Sequence, residues 1–94
     1  GESGYYTEFP GLTLDAARWL AGLPIALLGV ETPSLSTVDD HGVHQELLAK
    51  GVVIIEGLAN LARIPAEMCW FVALPLALAG LDGSPVRAVA WLHQ

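Results

Sequence analysis

Two residues of types that bind metal ions lie at the ends of predicted elements. His44 begins a predicted helix that follows one apolar strand, and Glu56 directly follows the next apolar strand, residues 52–55. If those strands are neighbours in an α/β sheet, both side chains converge at one edge of it. An imidazole nitrogen together with a carboxylate oxygen suits zinc or manganese. Because a metal site needs three or four ligands, His44 and Glu56 predict only part of a site.

Further polar side chains follow the first of these strands. They are Glu31, Asp39, Asp40, His41 and His44. Ligands of α/β proteins collect at the carboxyl ends of strands, so this polar group could belong to a binding site. A solvated acidic loop explains the same residues, and Glu56 could equally be a strand end in solvent.

Other motifs carry less chemical information. Residues 82–87 include Ser84 and Arg87, which could bind an anion, but a turn between two strands explains the segment without a ligand. Ser34 or Ser84 could pair with a histidine in a hydrolase, and nothing in the sequence selects either one. The sequence contains no phosphate-binding glycine loop, dinucleotide fingerprint, nucleophile elbow or paired-cysteine knuckle. The catalytic residue is therefore left unassigned.

The elements that would position these residues alternate in type. Thr13 is a predicted helix N-cap and Gly22 ends that helix. The remaining predicted elements are a strand at 25–30, a helix at 44–50, a strand at 52–55, a strand region at 69–78 that is interrupted at Pro75, and a strand at 86–92. The short apolar strands at 25–30 and 52–55 are expected to be buried on both faces. Apolar strands alternating with helices predict an α/β fold with a mixed sheet and flanking helices.

Composition excludes several classes of protein. The chain has 94 residues, a net charge of −6 and 53% hydrophobic residues. An acidic disordered tail would be less apolar, and four strong bases against ten acids argue against nucleic-acid binding. The uncharged runs at 19–30 and 68–81 are shorter than the roughly 20 residues of a spanning helix, so no membrane segment is predicted. The lone Cys69 cannot form an intrachain disulfide; we expect it to be buried and the protein to be cytoplasmic.

The beginning of the chain and its apolar content suggest that part of the fold lies elsewhere. The sequence starts at Gly1, and its only methionine is Met68. We therefore expect either that residues preceded Gly1 or that the chain is a fragment. So small a domain buries only about 60–65% of the surface that its unfolded chain exposes. Such an apolar chain is expected to pack against a partner or against a missing part of its own fold.

The ordered motifs of this chain resemble the cyclase family of metal-dependent hydrolases, which includes bacterial kynurenine formamidases and isatin hydrolases. The matching segments are residues 10–20 (PGLTLDAARWL), 28–34 (LGVETPS), 44–48 (HQELL), 53–61 (VIIEGLANL), 73–76 (ALPL) and 83–88 (GSPVRA). The resemblance implies a swivelling β/β/α fold and a divalent metal, zinc or manganese, that activates water against an amide, lactam or ester carbonyl. It also implies that His44 and Glu56 are metal ligands.

The chain departs from the family in one respect. Family members are about twice as long, near the usual size of a domain, and their N-terminal half carries a His-x-Gly-Thr-His-x-Asp motif that this sequence lacks. We therefore expect residues 1–94 to be the C-terminal portion of one cyclase-like domain and to be inactive without the other ligands. The expected partners are a small-molecule substrate and either the missing half or a second chain, with homo-oligomers such as a homodimer. The alternative is a non-catalytic remnant or a partner-binding oligomerisation module.

Overall fold

The computed structural model describes residues 8–65, 67–75 and 83–91. The chain divides into two compact units, Gly1–Ala59 and Asn60–Gln94. Among the described residues, no helix has both the length and the apolar character needed to cross a membrane.

Two helices and a pair of parallel strands form the first unit. Its elements in chain order are α1 (Leu14–Ala21), β1 (Leu27–Gly29), α2 (Asp40–Leu48) and β2 (Val53–Ile55). β1 and β2 pair in parallel, with Leu27 opposite Val53 and Gly29 opposite Ile55. The two apolar strands are therefore neighbours, which is the condition for His44 and Glu56 to converge at one edge of the sheet.

The first helix begins and ends where the sequence predicts. The Thr13 hydroxyl accepts a hydrogen bond from the N–H of Ala16 at 3.1 Å, so Thr13 is the N-cap. The N–H of Gly22 donates to the carbonyl of Arg18 at 3.2 Å and closes the last turn.

The second helix begins four residues earlier than the prediction, at Asp40 instead of His44. Asp39 is its N-cap, because the Asp39 carboxylate accepts a hydrogen bond from the N–H of Gly42 at 3.1 Å. Aspartate is among the preferred N-cap residues, since its side chain satisfies a free N–H of the first turn. As a result His44 lies in the second turn of α2, one turn away from Asp40.

A small hydrophobic core joins the two helices to the strand pair. Its buried residues are Ala17, Leu35, Val43, Leu47 and Val52, and Leu28 and Ile54 of the strands pack against them. The strands are less buried than the sequence predicts, because Val53 is 56% exposed. The expectation of strands buried on both faces is therefore wrong for the part of the chain that is described.

The second unit contains an antiparallel strand pair. After a 3₁₀ turn at Leu61–Arg63, β3 (Trp70–Pro75) pairs with β4 (Val86–Trp91), with Trp70 opposite Trp91 and Pro75 opposite Val86. Pro75 ends β3; residues 76–78 of the predicted strand region, and residue 92 of the last strand, lie outside the described residues. Cys69 is exposed, so the prediction of a buried thiol is wrong.

The α/β prediction is confirmed. The parallel and antiparallel pairs form two sheets of two strands each in the described residues. The carboxyl ends of the parallel pair, in the first unit, lie beside α2 and position the site described next.

Candidate metal centre

The parallel register of β1 and β2 brings their carboxyl ends to one edge. The chain stays paired beyond both strands, because the N–H of Gly57 donates to the carbonyl of Thr32 at 2.9 Å and the N–H of Leu58 donates to that of Val30 at 3.0 Å. Glu56 is thereby held next to the segment that follows β1. This is the edge at which the sequence places His44 and Glu56 together.

The imidazole of His44 contacts the carboxylate of Glu56 directly. The distance from His44 Nε2 to Glu56 Oε2 is 2.8 Å. The other ring nitrogen, Nδ1, lies 2.8 Å from the backbone carbonyl oxygen of Asp40. A carbonyl oxygen only accepts hydrogen bonds, so Nδ1 carries a proton that it donates to Asp40.

This arrangement decides what Nε2 can do. In neutral His44, Nε2 is unprotonated, and its lone pair points at the negative carboxylate of Glu56. Two acceptors at 2.8 Å repel, so Nε2 needs either a second proton or a cation shared with Glu56. The pair is therefore suited to protonation in the absence of metal and to metal binding in its presence.

Asp40 supports His44 from the opposite side of the ring. The Asp40 Oδ1 atom lies 3.3 Å from His44 Nδ1, one helical turn along α2. The same oxygen accepts hydrogen bonds from the N–H groups of Leu35 at 3.2 Å and Ser36 at 3.1 Å. Carboxylate and carbonyl partners of this kind fix the orientation of metal-binding histidines in proteins.

Ser34 connects the two carboxylates. Its hydroxyl oxygen lies 2.6 Å from Asp40 Oδ1 and 3.2 Å from Glu56 Oε2. From the sequence, Ser34 is one of two possible hydrolase residues, and Asp40 is a member of the polar group without a role of its own. For Asp40 the signal was the preference of Asp39 for an N-cap, because a helix that begins at Asp40 places Asp40 one turn before His44. The sequence carries no comparable signal for Ser34.

The pKa of His44 is raised by these contacts. Partial burial acts to lower it, but the carbonyl and carboxylate of Asp40 and the carboxylate of Glu56 outweigh burial. A metal ion must displace the proton from Nε2, so metal affinity is expected to fall at low pH.

The pKa of Asp40 is lowered. Burial acts to raise it, whereas the Ser34 hydroxyl, the N–H of Ser36, the imidazole of His44 and the N–H of Leu35 act in the opposite direction and prevail. Asp40 is therefore a stable negative charge beside the ring of His44.

The donor set fits a divalent transition metal. Among the described residues, Asp40, His44 and Glu56 form a group whose possible ligand atoms lie within 4.8 Å of one another. Because Oδ1 of Asp40 is on the Nδ1 side of the ring and accepts several hydrogen bonds, we interpret Asp40 as a support for His44. The ligand atoms that face each other are Nε2 of His44 and the carboxylate of Glu56, a nitrogen–oxygen pair suited to zinc or manganese.

The remaining polar residues of the sequence prediction have other positions. Asp39 caps α2, while Glu31 and His41 are exposed. None of these three belongs to the group of described residues that could hold a metal. Ser84 lies in the second unit, as does Arg87, which is paired with Leu74 in the strand ladder.

Comparison with known proteins finds kynurenine formamidases and metal-dependent hydrolases as relatives. No protein-family model matches the chain. Kynurenine formamidase of Bacillus thuringiensis (strain Al Hakam) is 40% identical over 92 residues, which are 92% of this chain and 44% of the relative. Kynurenine formamidase of Salinibacter ruber is 39% identical over 77 residues, or 80% of this chain and 36% of the relative. The chain thus spans less than half the length of these curated relatives.

Solved structures show the same relationship. A potential metal-dependent hydrolase with cyclase activity superposes with a TM-score of 0.80 at 37% identity, covering 88% of this chain and 41% of that one. A predicted metal-dependent hydrolase from Bacillus stearothermophilus gives a TM-score of 0.79 at 37% identity, covering 88% and 40%. The resemblance to the cyclase family of metal-dependent hydrolases is therefore confirmed, and the fold corresponds to part of a cyclase-like fold.

Proposed function

We propose that this chain supplies His44 and Glu56 as ligands of a divalent metal, zinc or manganese, in a hydrolase of amide, lactam or ester bonds. The observation that carries the proposal is the 2.8 Å contact between His44 Nε2 and Glu56 Oε2, with Nδ1 already bound to a carbonyl. The similarity to kynurenine formamidases supports a formamide as the first substrate to test. The structural relatives named as metal-dependent hydrolases support the metal.

A bound divalent metal would polarise a substrate carbonyl and lower the pKa of a coordinated water. The residues of this chain would prepare the ligand atoms for that role. The Asp40 carbonyl keeps the proton of His44 on Nδ1, which leaves Nε2 available as a donor atom. Glu56 adds an anionic oxygen, and a side-chain exposure of 31% leaves it accessible from solvent.

The other ligands are proposed to come from a segment with the His-x-Gly-Thr-His-x-Asp motif, which the 94 residues lack. Two protein ligands leave a metal weakly held, since zinc sites use three or four. We therefore propose that this chain alone has no hydrolase activity and that it works with a second polypeptide segment and a small-molecule substrate. A cytoplasmic location is part of the proposal, because the exposed thiol of Cys69 stays reduced there.

Reconstitution tests this proposal. Metal content and hydrolysis of an aromatic formamide are measured for this chain, for a separate chain bearing the missing motif, and for their mixture. We expect this chain alone to bind added metal only weakly, and tightly held stoichiometric metal together with hydrolysis only in the mixture. A mixture that forms a complex but holds no stoichiometric metal would show that the site assignment is wrong.

A second candidate function is a non-catalytic module that binds a partner or a second copy of itself. The observation that favours it is the apolar surface of the β3–β4 pair, where Trp70 is 60% and Leu74 is 61% exposed. This function predicts an oligomer without bound metal. Size measurement in solution combined with metal analysis separates the two functions, and a folded monomer with a filled metal site would exclude the module.

A further inference from the structure

One hydroxyl group lies between the two carboxylates of the candidate metal centre. Ser34 Oγ is 2.6 Å from Asp40 Oδ1 and 3.2 Å from Glu56 Oε2. The hydroxyl has a single proton, and the shorter distance assigns that proton to Asp40. Glu56 therefore lies against an oxygen whose position is fixed by Asp40.

The backbone around Ser34 is also held on both sides. The hydroxyl of Thr32 donates to the carbonyl of Ser34 at 2.7 Å, and the carbonyl of Thr32 accepts from the N–H of Gly57 at 2.9 Å. The next N–H group along the chain, that of Leu35, donates to Asp40. Ser34 is thus tied to the residue after Glu56 and to the first residue of α2.

These contacts connect the two proposed ligands through one residue. Asp40 orients the ring of His44 from the Nδ1 side, and Glu56 contacts its Nε2. Removing the Ser34 hydroxyl would leave Asp40 without its shortest hydrogen bond and would widen the range of positions open to the Asp40 carboxylate. Supporting groups of this kind typically contribute 10–100-fold to metal affinity, because they hold ligands in the binding geometry.

We propose that Ser34 is a positioning residue that holds Asp40 in place, and through Asp40 the ring of His44, and so increases the affinity of the His44–Glu56 pair for a divalent cation. This inference rests on the proposed function, since it concerns the same ligands. Ser34→Ala is expected to weaken Zn²⁺ binding by about tenfold or more. Ser34→Thr keeps the hydroxyl and is expected to restore most of the affinity.

A matched control separates positioning from general stability. Thr13→Ala deletes a hydroxyl elsewhere in the same unit. The Thr13 hydroxyl is the N-cap of α1 and accepts a hydrogen bond from the backbone N–H of Ala16. Losing that cap is expected to destabilise the fold. Thr13→Ala should therefore lower the unfolding temperature of the metal-free chain and leave Zn²⁺ affinity unchanged.

The experiment is a Zn²⁺ titration of the full 94-residue chain and of the three variants at one pH, with thermal unfolding of each in a chelator. We expect Ser34→Ala to bind weakly, Ser34→Thr to regain most of the affinity, and Thr13→Ala to bind as the parent does. If the parent binds Zn²⁺ and Ser34→Ala binds equally well, the inference is wrong while the proposed function stands. If Thr13→Ala loses as much affinity as Ser34→Ala, or Ser34→Thr rescues nothing, positioning by the hydroxyl is contradicted. If the parent binds no Zn²⁺, the proposed metal role fails and the inference fails with it.

Discussion

The two ring nitrogens of His44 have different partners, and that difference makes the residue suitable for a metal. Nδ1 donates to the carbonyl of Asp40, and Nε2 faces the carboxylate of Glu56. The sequence could predict His44 and Glu56 because both follow apolar strands, and strand ends meet at one sheet edge. It named Asp40 and Ser34 without assigning them a role beside His44, because that role depends on hydrogen bonds made by the irregular segment before α2.

At the residue scale, we expect His44 to stabilise the metal-free chain more at low pH than at high pH. Its pKa is raised on folding, so its contribution is fully present below the unfolded value of about 6.5 and is lost as pH rises through the folded value. Asp40, whose pKa is lowered, loses its contribution only as pH falls through that lowered value. The contribution of His44 should stay within about 1 kcal/mol, since its partners are partly exposed.

Urea unfolding in a chelator checks this pH dependence. The parent should exceed His44→Gln in unfolding free energy by more at pH 5.5 than at pH 8.5. His41→Gln, at an exposed position of the same helix, controls for the change from histidine to glutamine. An advantage of the parent that is equal at both pH values, or larger at pH 8.5, would contradict the assigned charges.

At the element scale, α2 is defined by its two ends. Asp39 caps its beginning, and the chain leaves its end through a turn in which Gly51 N–H donates to the Leu48 carbonyl and Val52 N–H donates to the Leu47 carbonyl. These two bonds make a Schellman motif, which requires a left-handed residue, and Gly51 has φ of +77°. The sequence predicts the end of α2 from Gly51. The predicted beginning, His44, is four residues too late because that prediction leaves Asp39 in the loop.

Gly51→Ala is expected to destabilise the chain by about 1 kcal/mol. An added Cβ at Gly51 would meet nothing within 4 Å, so the cost comes from the left-handed backbone and not from a clash. Gly22→Ala is the matched control, because Gly22 also ends a helix but has φ of −82° and leaves room for a Cβ. Chemical unfolding should show a loss for Gly51→Ala and no loss for Gly22→Ala; equal effects would contradict the assigned backbone strain.

At the scale of the whole molecule, much of the exposed apolar surface of the described residues lies on the β3–β4 pair. The face of the β3–β4 pair that carries Trp70, Val72 and Leu74 also carries Val89 and Trp91 on the paired strand, and each of these side chains is more than a third exposed. Two-stranded sheets are marginally stable on their own in water. Composition predicted a surplus of apolar surface, but it could not show which strands expose that surface, since this depends on strand pairing.

We expect this face to cause self-association of the chain. The register also places Arg87 on this face, so Val89→Lys adds a second positive charge there and should shift the protein toward the monomer in sedimentation velocity. Val38→Lys is the control, because Val38 is 94% exposed in the first unit and outside this face. A parent that sediments as a monomer at tens of micromolar, or a Val38→Lys variant that dissociates as readily, would contradict the prediction.

The similarity to kynurenine formamidases and to metal-dependent hydrolases covers most of this chain and less than half of each relative. The proposed role of this chain therefore requires that the part of the site it contains binds a metal. The first requirement is that His44 and Glu56 act as ligands.

Calorimetric titration of the chain with Zn²⁺ tests that claim most directly. His44→Ala and Glu56→Gln should each weaken binding by about tenfold or more, because the first removes the ligand nitrogen and the second replaces an anionic ligand oxygen with a neutral amide. His41→Ala and Glu46→Gln are the controls; His41 is exposed on α2, and Glu46 pairs with Arg18 at 3.2 Å. The account predicts that both controls bind Zn²⁺ as the parent does. Undiminished Zn²⁺ binding by His44→Ala would contradict it.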